Sequence, residues 1–133
     1  MPPSAEDRRI VERYFAAMQA GASGEQEMVS LFGDEAEYIE PFSVQGQHTN
    51  HRGIGAIRSY FHETFRGPMS GQVKLTIDRL DVDGDQLRTE WTCEMPIVPA
   101  PFNGYDTYLI RDGKIQRLQI NLAGGPLAYT ERP

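Results

Sequence analysis

Residues 73–95, VKLTIDRLDVDGDQLRTEWTCEM, contain two runs in which apolar and polar side chains alternate. Asp83 and Gly84 lie between the runs, and an Asp-Gly pair at such a position is a strong signal for a tight hairpin turn. This stretch therefore predicts a two-stranded antiparallel hairpin with one face directed inward. On that inner face the second run places Leu87, Thr89, Trp91, Cys93 and Met95.

A second pair of strands follows further along the chain. Residues 105–111 precede Asp112-Gly113, and residues 115–122 form the return run. Three prolines between residues 96 and 101 interrupt the sheet before this pair, because proline has no N–H for a strand ladder. The C-terminal half thus predicts a four-stranded antiparallel meander.

The N-terminal part predicts helices instead. After Ser4, apolar residues recur at the period of a helix, and Ser4 with Asp7 resembles a capping box. Gly21 is a natural end for this helix. A second short helix is predicted after Ser23, with Gly33 as its end and with Met28, Val29, Leu31 and Phe32 directed inward. A third covers residues 54–65, with an apolar side formed by Ile54, Ile57, Phe61 and Phe65.

One strand and one loop are predicted between the second and third helices. Residues 35–42, EAEYIEPF, alternate, and Pro41 predicts that the strand ends there or lies at an edge. Residues 43–53, SVQGQHTNHRG, predict a polar loop. Because helices come first and strands cluster afterwards, the order predicts an α+β fold rather than alternating βαβ units.

Composition limits the class of protein. The 133 residues fit a single domain over residues 1–133, and the net charge of −6 without a Lys/Arg-rich run argues against nucleic acid as a partner. The longest apolar run, residues 14–18, is too short to span a bilayer, and the first ten residues lack the apolar stretch of a signal peptide. With a single cysteine, Cys93, these features predict a cytoplasmic protein with no membrane partner.

Little in the sequence points to a metal or an organic cofactor. No carboxylate at helical spacing accompanies the three histidines, His48, His51 and His62, so we expect no metal site. No glycine-rich nucleotide-binding motif is present, so we expect no organic cofactor. Cys93 is expected to be a buried structural thiol.

Three polar side chains lie on faces that the patterns assign to the interior. Tyr14 lies on the apolar side of the first helix, Glu40 shares its strand face with Tyr38, and Asp106 shares its face with Tyr108. A buried carboxylate is costly unless it is neutralised, hydrogen-bonded or functional. Two carboxylates and a phenol around an apolar cavity suit proton transfer, whereas a core tyrosine and two carboxylates near the sheet surface would be ordinary structure.

Four segments together are similar to a known family: 11–21 (VERYFAAMQAG), 25–41 (EQEMVSLFGDEAEYIEP), 51–61 (HRGIGAIRSYF) and 104–120 (GYDTYLIRDGKIQRLQI). They resemble the nuclear transport factor 2-like superfamily, also called SnoaL-like, and within it the ketosteroid isomerases. The resemblance implies a cone-shaped, curved antiparallel sheet wrapped around three N-terminal helices, with one deep pocket. It also implies a homodimer formed through the outer sheet face.

By position in these motifs, the resemblance implies that Tyr14, Glu40 and Asp106 are catalytic. Glu40 would be the base, and Tyr14 and a protonated Asp106 would hydrogen-bond the developing oxyanion. The implied reaction is a cofactor-free isomerisation that shifts a proton next to the carbonyl of a small hydrophobic ligand. We expect the pocket to be lined by Met18, Phe32, Tyr38, Ile57, Phe61, Trp91, Cys93, Tyr108 and Leu118.

Two departures from the isomerase pattern keep other functions open. Glu40 stands where the family has aspartate, and the segment from Glu40 to Gly53 is longer. A SnoaL-like polyketide cyclase or dehydratase would keep Asp106 as the acid–base group and would not need Glu40. A non-catalytic module that binds a hydrophobic ligand or a protein partner is the other alternative, since one fold hosts many functions.

Overall fold

The computed structural model describes residues 3–67 and 73–125, and it confirms the α+β class. The helices are α1 (Ala5–Ala20), the six-residue α2 (Glu25–Ser30), which follows a 3₁₀ turn at Gly21–Gly24, and α3 (Ile54–Thr64). The strands are β1 (Phe32–Val44), β2 (Gln47–Arg52), β3 (Lys74–Asp83), β4 (Gln86–Glu94), β5 (Phe102–Arg111) and β6 (Lys114–Leu122). The ends of the predicted 1–133 domain lie outside the described residues.

The strands form one six-stranded sheet in the order β2-β1-β6-β5-β4-β3. The predicted meander of β3 to β6 is confirmed, because each of these strands pairs antiparallel with the next. A wholly antiparallel sheet was the wrong expectation, since β1 and β6 pair parallel, with Tyr38 beside Leu118. The long connection between these two strands allows them to pair in either direction, and local sequence patterns do not indicate which direction forms.

Most of the predicted loop over residues 43–53 is strand, since β1 includes residues 43 and 44 and β2 covers Gln47–Arg52. Strand β2 pairs antiparallel with β1 at the sheet edge, with His51 opposite Tyr38. An edge strand with exposed faces needs only backbone hydrogen bonds, so the missing apolar alternation did not prevent pairing. Pro41 does not end β1, which continues to Val44 with an irregularity between Glu40 and Val44.

The predicted start of α1 is confirmed, whereas the predicted end of α2 is wrong. The backbone N–H of Asp7 donates to Ser4 Oγ at 3.2 Å and that of Ser4 to Asp7 Oδ2 at 3.0 Å, which confirms the capping box. Helix α2 ends at Ser30 rather than Gly33, and Phe32 already begins β1 opposite Ile115. Pairing with β6 outweighs the weak helical preference of this segment.

The core lies between the helices and one face of the sheet. Alternate strand positions are buried there, and α1 and α3 contribute the opposing layer through Val11, Tyr14, Phe15, Ile57 and Phe61. Glu40, Thr89 and Asp106 are the buried polar residues of the described chain. No helix in the described ranges is long and apolar enough to cross a membrane. Pairing of two copies through the outer sheet face stays a prediction.

Candidate functional site

A cavity of about 70 Å³ lies between the helices and the inner face of the sheet. Eight of the sixteen described residues that line it are aromatic, so a bound ligand would meet mainly flat apolar surfaces. Asp106 is the only carboxylate among the described lining residues, and these include no lysine, arginine or histidine. The charge chemistry of this cavity therefore depends on Asp106.

Asp106 is held on β5 by two donors from the protein. The Trp91 indole donates from Nε1 to Asp106 Oδ1 at 2.8 Å, and the Tyr108 hydroxyl donates to Oδ2 at 2.9 Å. Burial raises the pKa of Asp106 to about 7, against the opposing effect of the hydrogen bonds from Trp91 and Tyr108. Near neutral pH this carboxyl group therefore exists in both protonation states and can accept or donate a proton.

Tyr14 and Tyr38 form a hydroxyl pair in the same cavity. Their hydroxyl oxygens are 2.9 Å apart, and both side chains are buried. Burial, with smaller contributions from neighbouring groups, raises the pKa of both phenols well above the usual value, so both remain protonated. Because one hydroxyl donates to the other, the pair retains a second O–H that can serve a ligand oxygen.

Glu40 is buried and is not among the residues that line the cavity, and its role as the base stays a prediction. Its Oε1 accepts the backbone N–H groups of Phe42 at 2.7 Å and Ser43 at 2.8 Å. Its Oε2 accepts the Ser43 hydroxyl at 2.6 Å and lies 2.8 Å from His51 Nε2. Four hydrogen bonds fill the acceptor positions of a carboxylate. The irregularity of β1 after Glu40 brings these amides back onto the side chain.

Four of the residues expected in the pocket lining border this cavity. Met18, Tyr38, Trp91 and Cys93 line the cavity. Burial raises the pKa of the Cys93 thiol to about 12, so this thiol stays protonated and is a poor nucleophile.

Five other residues expected in the lining are buried core residues that do not line the cavity: Phe32, Ile57, Phe61, Tyr108 and Leu118. Phe61 shows the reason, because its ring lies 4.9 Å from that of Tyr38 and 5.4 Å from that of Phe65 and is enclosed by them. Helical and strand periodicity identifies the inward face but not which inward side chains border an empty space. Phe42, Tyr60 and Phe102 also line the cavity and were not among the expected lining residues.

Each histidine lies within hydrogen-bond distance of a protein oxygen atom. His48 Nε2 lies 2.9 Å from the Ile120 carbonyl oxygen, and His62 Nδ1 lies 3.1 Å from Glu25 Oε2. Within residues 3–67 and 73–125, no group of three or more His, Cys, Asp or Glu side chains is arranged to hold a metal ion.

The raised pKa of Asp106 makes stability depend on pH in a specific direction. Between pH 4 and 7 the folded protein keeps a proton that the unfolded chain has released, so the unfolding free energy falls as pH rises from about 4 to about 7. From pH 5 to pH 8, the unfolding free energy of wild type should therefore fall by about 2–3 kcal/mol relative to that of Asp106→Asn.

Urea unfolding of both proteins at the two pH values measures this change. Using the difference removes the contributions of surface carboxylates such as Glu25 and Glu27, whose pKa values are lowered by Arg66 and Arg13 respectively. A pH-independent difference would show that Asp106 is ionised throughout this range.

Solved structures with the same fold cover almost the whole chain. A protein named as a candidate ketosteroid isomerase from Kribbella flavida DSM 17836 has a TM-score of 0.70 and 19% identity, with 100% of this chain and 87% of that chain covered. A candidate polyketide cyclase from Sinorhizobium meliloti has a TM-score of 0.66 and 20% identity over 85% and 94% of the two chains. A protein of unknown function with a cystatin-like fold from Xanthomonas campestris has a TM-score of 0.73 and 20% identity over 89% of this chain and 91% of that chain.

At these identities the structural likeness shows a shared fold, of the cystatin-like or nuclear transport factor 2-like type. No curated protein matches the sequence of this chain. A family model, that of the SnoaL-like domain, matches residues 11–118, which include the cavity-lining Tyr14, Tyr38, Trp91 and Asp106. The chain therefore belongs to the SnoaL-like domain family.

Proposed function

We propose that this protein is a cofactor-free enzyme that moves a proton at the carbon next to the carbonyl group of a small hydrophobic ligand. One observation carries the proposal. The carboxyl group of Asp106 lies in an apolar cavity and has a pKa of about 7. A carboxyl group that titrates near neutral pH is matched to general acid–base catalysis.

The geometry supports a defined division of roles. Asp106 as carboxylate would take the proton from the α-carbon, and the electron pair of the broken C–H bond would move onto the carbonyl oxygen. The O–H that the Tyr14–Tyr38 pair retains would hydrogen-bond this enolate oxygen. Asp106 would then return the proton to another carbon, which isomerises the ligand, or to a departing hydroxyl group, which leaves as water.

Cyclisation uses the same first step. The enolate carbon would attack a second carbonyl group of the ligand, and the new alkoxide would take the proton from Asp106. The full set of hydrogen bonds on Glu40 favours the cyclase or dehydratase alternative, in which Asp106 alone carries the proton. The solved structures named as a candidate isomerase and a candidate cyclase share this fold and are compatible with both reactions.

The cavity also favours an uncharged ligand. Its described lining has no cationic side chain to pair with a carboxylate or phosphate, and burying an unpaired anion is costly. We therefore propose a hydrophobic ketone or a compound with two carbonyl groups as the substrate class, bound with the reacting carbonyl at the tyrosine pair.

The test is a spectrophotometric assay of wild type on three reactions: isomerisation of β,γ-enones, dehydration of β-hydroxy ketones and intramolecular aldol cyclisation. In the same assay Glu40→Gln should keep kcat within about tenfold of wild type, because the carboxyl of Glu40 is committed to the turn at Ser43 and to His51.

A loss of a hundredfold or more in folded Glu40→Gln would instead assign the base to Glu40 and restore the isomerase mechanism that the resemblance implies. The amide of the variant replaces one acceptor oxygen with a donor, which could destabilise the fold. Thermal unfolding is therefore used to check that the variant is folded. Absence of turnover by wild type in all three reactions would overturn the proposed activity and favour a ligand-binding role.

A further inference from the structure

Gly104 occupies a position of β5 where a side chain has no room. It lies directly opposite Trp91 of β4. A Cβ atom placed on Gly104 would lie 2.3 Å from Trp91 Cζ2 and 2.6 Å from Trp91 Cη2, closer than real Cβ contacts. The backbone of Gly104 is not in the left-handed region. Glycine is therefore required here because there is no room for a side chain, and not because of a special backbone conformation.

The ring that fills this space is the one that reaches Asp106. The Trp91 indole passes over Gly104, meets Phe102 edge to face with ring centroids 5.8 Å apart, and donates from Nε1 to Asp106 Oδ1 at 2.8 Å. A displacement of an ångström would break a hydrogen bond of this length. The free space above Gly104 is therefore required for the hydrogen bond between Trp91 and Asp106.

We propose that Gly104 is a positioning residue for Asp106: having no side chain, it lets the Trp91 indole lie across β5 and hold the carboxyl group from one side. The consequence for catalysis rests on the proposed function, whereas the positioning itself does not. The residue acts on the acid indirectly, since it contributes no atom to the hydrogen bond.

The first measurement is the titration midpoint of Asp106 in Gly104→Ala, followed by NMR of ¹³C-labelled aspartate carboxyl groups and assigned by the signal missing in Asp106→Asn. The midpoint should rise from about 7 by about one pH unit, because the carboxylate form loses one hydrogen bond. Trp91→Phe should raise it by a similar amount. Gly55→Ala is the matched control, because a Cβ there meets no atom within 4 Å.

The double variant Gly104→Ala/Trp91→Phe separates this mechanism from a backbone effect. A Cβ on Gly104 would also lie 2.4 Å from the backbone oxygen of Asn121, which could disturb β6 by itself. Phenylalanine lacks the outer ring atoms that collide, so the double variant should have the same midpoint as Trp91→Phe alone. A further rise in the double variant, or an unchanged midpoint in Gly104→Ala, would overturn the proposal.

Folding of the variants is equally informative. If Gly104→Ala fails to fold while the double variant folds, the clash with the indole is the cause and the proposal stands. If both fail to fold, the contact with Asn121 explains the glycine and the proposal falls. Because NMR follows the carboxyl group without turnover, inactivity of wild type in the enzyme assays would overturn the proposed function and leave this result unaffected.

Discussion

Asp106→Asn should lower kcat by at least about a hundredfold on any substrate that wild type turns over, because the amide cannot exchange a proton near neutral pH. The substitution keeps the shape of the side chain. Its carbonyl oxygen can still accept from Trp91, and its amide can donate to the Tyr108 hydroxyl. The loss should therefore appear in kcat far more than in KM, since substrate binding is retained.

Steady-state kinetics across pH tests this assignment further. With the carboxylate as base, the wild-type rate should rise with pH through about 7, and the residual rate of Asp106→Asn should lack this step. Asp78→Asn is the matched control, because it makes the same change at an exposed carboxylate of β3. A loss confined to KM would mean that Asp106 only orients the ligand.

Phe61→Ala should lower the free energy of unfolding by about 3–5 kcal/mol, the cost typical of removing a fully buried aromatic ring. Phe61 is 0% exposed. It packs against Phe32 with ring centroids 6.0 Å apart, and against Tyr38 and Phe65 at closer range. Phe32 and Tyr38 lie on β1 and Phe65 directly follows α3, so these neighbours are held in place by their own elements and can close only part of the space left by the ring.

Urea unfolding measures this loss, with Val82→Ala as control. Val82 is 44% exposed, so its truncation should change the unfolding free energy by less than about 0.5 kcal/mol. A loss below about 1 kcal/mol in Phe61→Ala would indicate that the ring borders open space. This is the outcome expected if Phe61 lines the cavity, as the sequence analysis predicted.

The elements with strong periodicity were predictable from the sequence, and the elements that depend on distant pairing were not. Helix α1 and the turn at Asp112-Gly113 follow from local patterns and form where expected. The first hairpin turns one residue later than Asp83-Gly84, at Gly84-Asp85, because Asp83 still pairs with Gln86. Strand β2 lacks an apolar face because it lies at the edge, so its pattern resembled a loop. The parallel pairing of β1 with β6 joins segments far apart in sequence, which no local rule detects.

The candidate site was predictable by residue type but not by orientation. The alternation over residues 35–42 correctly placed Glu40 on the buried face. It could not show that the irregularity after Glu40 brings two backbone N–H groups onto its carboxyl group. Asp106 lies in a regular stretch of β5, where alternation and orientation agree. Local backbone irregularity, rather than burial, therefore separates the two carboxylates.

The position of Trp91 also gives the molecule an intrinsic optical signal for its site. Trp91 is the only tryptophan in the chain, and its indole both lines the cavity and donates to Asp106. Indole emission depends on the polarity and charge around the ring, so the tryptophan fluorescence of the unlabelled protein comes from a ring that is hydrogen-bonded to Asp106. A ligand that enters the cavity, or a proton that leaves Asp106, changes the surroundings of the single emitting indole.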